Sequence, residues 1–96
     1  MQVEFNEDGN GLHATFDNGW TMSVQWREGN HSDVNTVEVA AWDEDDTVWW
    51  DFIRHKPVRP RSSVLGHVTS DELGGYMNDI ASITRSGAEL QLQARR

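Results

Sequence analysis

Ninety-six residues suffice for one hydrophobic core and exclude a second independent domain, which would need about 50 residues of its own. There is no cysteine, so disulfides and thiolate metal sites are excluded. The net charge of −8 is unevenly spread: residues 1–53 hold twelve acids against one base, Arg27, a net −11, while residues 54–96 hold seven bases against four acids, +3. The first half repels phosphate backbones, and direct nucleic-acid binding by that surface is not expected.

The start, Met1-Gln2-Val3-Glu4-Phe5, lacks the basic and continuous apolar stretches of a signal peptide, and no run approaches the roughly 20 apolar residues of a membrane span. A cytoplasmic protein without membrane association is expected. Val3 and Phe5 alternate with polar neighbours and lead into Glu7-Asp8-Gly9-Asn10-Gly11, whose glycines suit a tight reversal. Leu12, Ala14 and Phe16 continue a period of two up to Asp17-Asn18-Gly19, and Trp20, Met22, Val24 and Trp26 resume it. An Asn-Gly pair between alternating runs predicts a hairpin with arms 12–17 and 20–26. Residues 27–35 have no periodicity and many turn formers, so they read as a long loop, and long loops often carry function.

From Thr36 to Trp42, Val37, Val39 and Ala41 share one face of a strand whose other face carries Thr36, Glu38, Ala40 and Trp42. Asp43-Glu44-Asp45-Asp46 is the next turn. In 47–53, Val48, Trp50 and Phe52 alternate with Thr47, Trp49, Asp51 and Ile53. Residues 54–63 are basic and contain Pro57 and Pro60, which donate no ladder hydrogen bonds, so an exposed loop leaving the sheet is expected. After the short apolar stretch Val64-Leu65-Gly66-His67-Val68, Thr69-Ser70-Asp71-Glu72 reads as a capping box. It opens a helix over 69–85 whose apolar stripe is Leu73, Tyr76, Met77, Ile80, Ala81 and Ile83 or Thr84. Gly74 and Gly75 weaken it, which points to close backbone approach to the sheet or to a weak first turn. Arg85 and Gly87 suit its end, and 88–93 is left as a tail or short edge strand. The predicted fold is α+β: one domain with a twisted antiparallel sheet of four or five strands within 2–54 and one C-terminal helix packed on one face.

The candidate sites are few. Asp43 to Asp46 cluster oxygens as a hard cation would want, but neither Asp43 nor Asp45 starts a loop with glycine at position six and glutamate at twelve, so no calcium loop is read there. His13, His31, His55 and His67 lack zinc-like spacing, and His67 reads as a local hydrogen-bonding residue. Ser62 and Ser63 have no glycine elbow, and no phosphate-binding glycine pattern precedes a helix. No catalytic residue, cofactor or metal is therefore expected. The strongest feature is aromatic: five tryptophans, each able to bury about 150–250 Å², would overfill so small a core. Trp49 and Trp50 must point to opposite faces, placing one in the core and the other beside Trp42. The expected interaction surface is Trp42, Asp43, Glu44, Asp45, Asp46 and Trp49, since tryptophan is a favoured interface anchor.

The segments Phe16-Asp17-Asn18-Gly19 (F-x-N-G), Glu38-Val39-Ala40-Ala41-Trp42-Asp43 (E-V-A-x-W-D) and Gly66-His67-Val68-Thr69-Ser70-Asp71-Glu72 (G-x-x-T-x-D/E-E) occur in that order. With them the chain resembles small uncharacterised proteins of tailed bacteriophages and prophages over roughly residues 14–84. The resemblance implies a phage or bacterial cytoplasm and brings no catalytic residues. The leading functional expectation is a non-enzymatic, phage-encoded accessory protein that binds a host or phage protein. Alternatives are a DNA mimic that blocks a host defence enzyme, a small-ligand binder using His31 and Asp33, and a homodimer paired through 47–53 or the C-terminal segment.

Overall fold

The computed structural model describes residues 1–7, 9–26, 36–84 and 90. The loop 27–35 with His31 and Asp33, the helix stop at Arg85 and Gly87, and all of the 88–93 segment except Leu90 lie outside the described residues. The elements run β1 (Gln2–Phe5), β2 (Gly11–Thr15), β3 (Thr21–Gln25), β4 (Thr36–Trp42), β5 (Trp49–Asp51), β6 (Lys56–Val58), β7 (Leu65–Thr69) and α1 (Ser70–Ala81). The class is α+β, with an antiparallel sheet and one helix packed on it. Among these residues no helix is long and apolar enough to cross a membrane.

The sheet has seven described strands, where the sequence pattern predicted four or five. Strands β1 to β6 pair in chain order, and β7 pairs with β4. One edge of β4 is filled by β3, from Thr21↔Trp42 to Gln25↔Glu38. The other is divided: β5 takes the Trp42 end through Trp42↔Trp49, and β7 takes the opposite end through Thr36↔Thr69, Val37↔Val68 and Val39↔Leu65. The sheet therefore forks along β4.

Both additional strands come from stretches whose pattern hides them. Lys56–Val58 was expected in a loop because of Pro57, yet it pairs with β5 as Trp49↔Val58, Trp50↔Pro57 and Asp51↔Lys56. Strand β6 ends the path, and a proline is tolerated on an edge strand where one side of the backbone needs no ladder partner. In β7, two residues, Gly66 and His67, oppose Glu38 alone, a bulge with His67 at φ +58°. The bulge lets Leu65 and Val68, three apart, reach the same face and so breaks the period of two. His67 is exposed, and its imidazole makes no hydrogen bond among the described residues, so its role is backbone conformation at the bulge.

Cross-strand partners share a face, and the registers sort the side chains into two layers. Met22 pairs with Ala14 and Ala41, and Val24 with Leu12 and Val39. These join Trp20, Val48, Phe52, Val68, Ile80 and Leu90 in the core. Helix α1 covers this layer with Leu73, Tyr76, Met77 and the buried Ile80, and Tyr76 meets Phe52 edge to face at 5.2 Å. Trp50 is on the core side, perpendicular to Trp20 at 6.2 Å. Trp26, 39% exposed, is the surface tryptophan that the size of the core requires.

Strand β5 stops at Asp51, short of the expected Ile53. The Asp51 carboxylate accepts the amides of Ile53 and Arg54, both at 2.9 Å, and its carbonyl accepts that of His55 at 2.8 Å. The chain curls there into a turn that keeps Phe52 in the core. At the β1–β2 turn Gly9 takes φ +73°, whereas Gly11 is needed for space: a Cβ there would come within 2.5 Å of the Val24 carbonyl oxygen.

The capping box forms as predicted. Thr69 caps the Glu72 amide at 3.3 Å, and the Thr69 backbone N–H, then its hydroxyl, donate to Glu72 and hold its carboxyl below its ordinary value. The helix is four residues shorter at its C-terminal end than the predicted 69–85 and stops at Ala81. There the side-chain amide of Asn18, from the β2–β3 hairpin, donates to the carbonyls of Ile80 at 2.8 Å and Ile83 at 3.0 Å; the Ile80 carbonyl also accepts the Ile83 amide at 3.2 Å, so Asn18 adds a second bond and ties the hairpin to the helix end. Asn18 Oδ1 meanwhile accepts the Trp20 amide at 3.0 Å. Gly74 and Gly75 face open space, so no close approach to the sheet explains them, and the weak first turn stands.

Two stability measurements check this account. Asn18→Ala removes both a turn acceptor and a helix-end donor, and is expected to lower unfolding free energy by about 1–3 kcal/mol in urea titrations. A loss below about 0.5 kcal/mol, within the range of ordinary surface substitutions, would show that the bridge contributes little. Gly74→Ala and Gly75→Ala should each raise stability by about 0.4–1 kcal/mol; destabilisation by either would contradict the open environment.

Candidate functional site

The sheet face opposite α1 carries the other half of the register: His13↔Ser23↔Ala40, Gln25↔Glu38, and Thr15↔Thr21↔Trp42↔Trp49. Small residues, Ser23 and Ala40, are buried at the centre of this face, while the indoles of Trp42 and Trp49 lie across one end. The result is a concavity of about 340 Å³ lined by His13, Gln25, Glu38, Trp42, Trp49, Arg61 and Val64. Arg61 and Val64 belong to the segment linking β6 to β7, which crosses the fork in the sheet. The fork thus supplies one wall and the pleated face the floor.

The aromatic end is built by stacking. Trp42 and Trp49 are 5.0 Å apart with an interplanar angle of 30°, and His13 meets Trp42 edge-on at 5.4 Å. Both tryptophans are half-buried, so each keeps surface toward solvent. Trp49 is further fixed by its indole N–H, which donates to Asp46 Oδ1. The other Asp46 oxygen pairs with Arg61 at 3.1 Å. Asp46 therefore fastens an aromatic side chain from β5 to a cation from the β6–β7 segment.

The acidic tetrad divides by role. Asp43 is 5% exposed and points into its own turn. Its carboxylate accepts the Thr47 amide at 2.7 Å, the Thr47 hydroxyl at 2.6 Å and the Val48 amide at 3.1 Å. Its backbone N–H donates to the Val48 carbonyl at 3.0 Å. Asp43 is thus a turn-building residue that sets where β5 begins, and it presents no carboxylate to a partner. Asp46 is committed to Trp49 and Arg61. Glu44 and Asp45 are the exposed members, and the Glu44 side chain lies over Gly19 of the β2–β3 turn, where an added Cβ would come within 3.2 Å of its carboxylate.

Of the six residues expected at an interaction surface, the structure brings Trp42, Trp49 and Asp46 together in one wall, with Glu44 and Asp45 next to them in the chain and Asp43 beneath. His13, Ser23, Gln25, Glu38, Arg61 and Val64 are the members that sequence reasoning missed. Alternation alone places His13 on the wet face of its strand, opposite Leu12 and Ala14. Its position level with Ala40 follows only from the two-strand register, and the Arg61–Asp46 pair has no local signature. Among the described residues no group of three or more His, Asp or Glu side chains is placed to hold a metal ion.

Asp43→Asn replaces a buried three-bond acceptor and is expected to cost about 1.5–3 kcal/mol in chemical denaturation. Glu44→Gln and Asp45→Asn, at the exposed tip, should each change stability by less than about 0.5 kcal/mol. Equal effects from all three would refute the division of the tetrad.

Against known proteins, the chain matches no family model, no curated protein and no solved structure.

Proposed function

We propose that this chain is a small non-enzymatic protein-binding domain that engages its partner through the sheet face opposite the helix. The observation that carries the reading is the stacked Trp42–Trp49 pair, half-exposed at one end of a concavity with a small-residue floor. Aromatic anchors seated in well-packed surroundings are the residues that carry most binding energy at protein interfaces, and the concavity is within the roughly 300–1,000 Å³ of sites that bind discrete groups. The surrounding charge supports the same reading. Glu44 and Asp45 follow Trp42 closely in the chain and are exposed, and the excess of acids in residues 1–53 favours a basic partner. Asp43 and Asp46 spend their carboxylates on internal bonds, which favours an aromatic anchor over a row of free carboxylates imitating DNA phosphates as the means of engaging the partner. The resemblance to phage proteins makes the partner a host or phage protein in a bacterial cytoplasm.

Affinity capture from a bacterial lysate tests the reading with four baits: the wild type, Trp42→Ala, the double variant Glu44→Lys/Asp45→Lys, and Asn78→Lys on the exposed side of the helix. The expected result is a discrete protein retained by the wild type and by Asn78→Lys. Its recovery should fall by about tenfold or more with Trp42→Ala and with the charge reversal, as loss of an anchor or of steering charges commonly does. Failure to retain any discrete protein, or equal recovery by all four baits, would overturn it.

A further inference from the structure

Glu38 is the feature of the concavity that the fold does not explain. It is half-buried, on the floor side of β4 and opposite the Gly66–His67 bulge. Its stem lies over Gly66, where an added Cβ would come within 4.0 Å of Glu38 Cγ. Unlike Asp43, Asp46 and Asp51, its carboxylate has no hydrogen bond or ion pair among the described residues. The nearby cation of the wall, Arg61, is already paired with Asp46 at 3.1 Å. A half-buried carboxylate that has no partner among the described residues is open to a cation supplied from outside.

The opposite end of the same concavity is aromatic. Glu38, Ala40 and Trp42 are successive residues on one face of β4, so about 13 Å separates the Cα atoms of Glu38 and Trp42, at about 3.3 Å per residue. Ala40 between them presents only a methyl group, which leaves the path open. A long side chain entering over Ala40 meets an indole along its stem and a carboxylate at its head.

We infer that this concavity is a slot for a single arginine side chain of the protein partner, with its stem against Trp42 and its guanidinium paired with Glu38. The inference rests on the protein-binding reading above and names the chemistry of its central contact. Arginine suits the slot better than lysine, because its planar guanidinium can bond both carboxylate oxygens and also stack on an indole. Lysine offers a compact, strongly hydrated charge and is the weaker ligand. The acidic surroundings exclude an acidic side chain by like-charge repulsion.

Nuclear magnetic resonance titration of the ¹⁵N-labelled full chain tests this with the probe peptide acetyl-Gly-Arg-Gly-amide and its lysine and citrulline counterparts. Citrulline retains the shape of arginine without its charge. The arginine peptide is expected to shift the indole N–H signals of Trp42 and Trp49 and the amides of Ser23 and Ala40, leaving those of Trp20 and Trp50 in place. The citrulline peptide, and the arginine peptide on Glu38→Gln, should bind about fivefold or more weakly, as loss of a charge-assisted pair predicts. Glu38→Gln keeps the size of the side chain, and its unperturbed spectrum elsewhere will show that the fold is retained. Equal shifts from arginine and citrulline peptides, or an unchanged affinity of Glu38→Gln, would overturn the slot.

Capture with a Glu38→Gln bait separates this inference from the broader one. A partner lost on Glu44→Lys/Asp45→Lys but fully retained by Glu38→Gln overturns the slot and leaves the binding face standing. Selective arginine-peptide shifts without any captured partner show that the concavity takes arginine but overturn a protein partner as its source.

Discussion

The two edges of β4 constrain everything else in this protein. A strand has only two lines of backbone donors and acceptors, and β3 takes one of them along its length. The other must serve both β5 and β7, which arrive from different directions in the chain. Five residues of β4 are matched to β3, whereas the far edge is matched to β5 only at Trp42 and to β7 only toward the Thr36 end. The divergence lets the β6–β7 segment pass over the gap. It also sets a half-buried aromatic pair at one end of the exposed face and a solitary carboxylate at the other.

The pieces pack around one hydrophobic core and are joined as well by short polar side chains that replace missing backbone partners. Asp43 starts β5, Asp51 ends it, Asn18 ties the hairpin to the end of α1, and Thr69 with Glu72 begins that helix. Each satisfies amides or carbonyls that a turn or helix end would otherwise leave unpaired. In a domain of this size the core is small, and such local bonds take a proportionally large part in fixing which of several compact arrangements forms.

This division of labour explains what could be read from the sequence. The hairpin, the long central strand, the helix start and the opposite facing of Trp49 and Trp50 are local patterns: alternation, an Asn-Gly turn, a capping box. Each stands in the structure where the pattern puts it. The strands that went unread are those in which a tertiary partner overrides the local signal. Pro57 argues against a strand until an edge position is known to be available, and the bulge at Gly66–His67 shifts Val68 out of step with Leu65. The early end of α1 is a tertiary event as well, because the group that meets its last carbonyls is 62 residues away in sequence. The candidate site divides the same way. Its tryptophans were visible, its acids were visible but their separate duties were not, and Glu38 drew no notice because an isolated glutamate on a wet strand face is ordinary until its neighbours are known.

The outermost strand has an implication of its own. Among the described residues, strand β1 pairs on one side only, with β2, and its residues are all exposed, Phe5 at 71% and Val3 at 42%. An uncovered edge with greasy side chains is the template from which proteins zip into ribbons. Here Glu4 sits between the two and would face its own copy in the register that sets Val3 against Phe5, so like charges oppose the most adhesive alignment. Replacing that glutamate with an uncharged residue removes a gatekeeper against fibrous self-assembly.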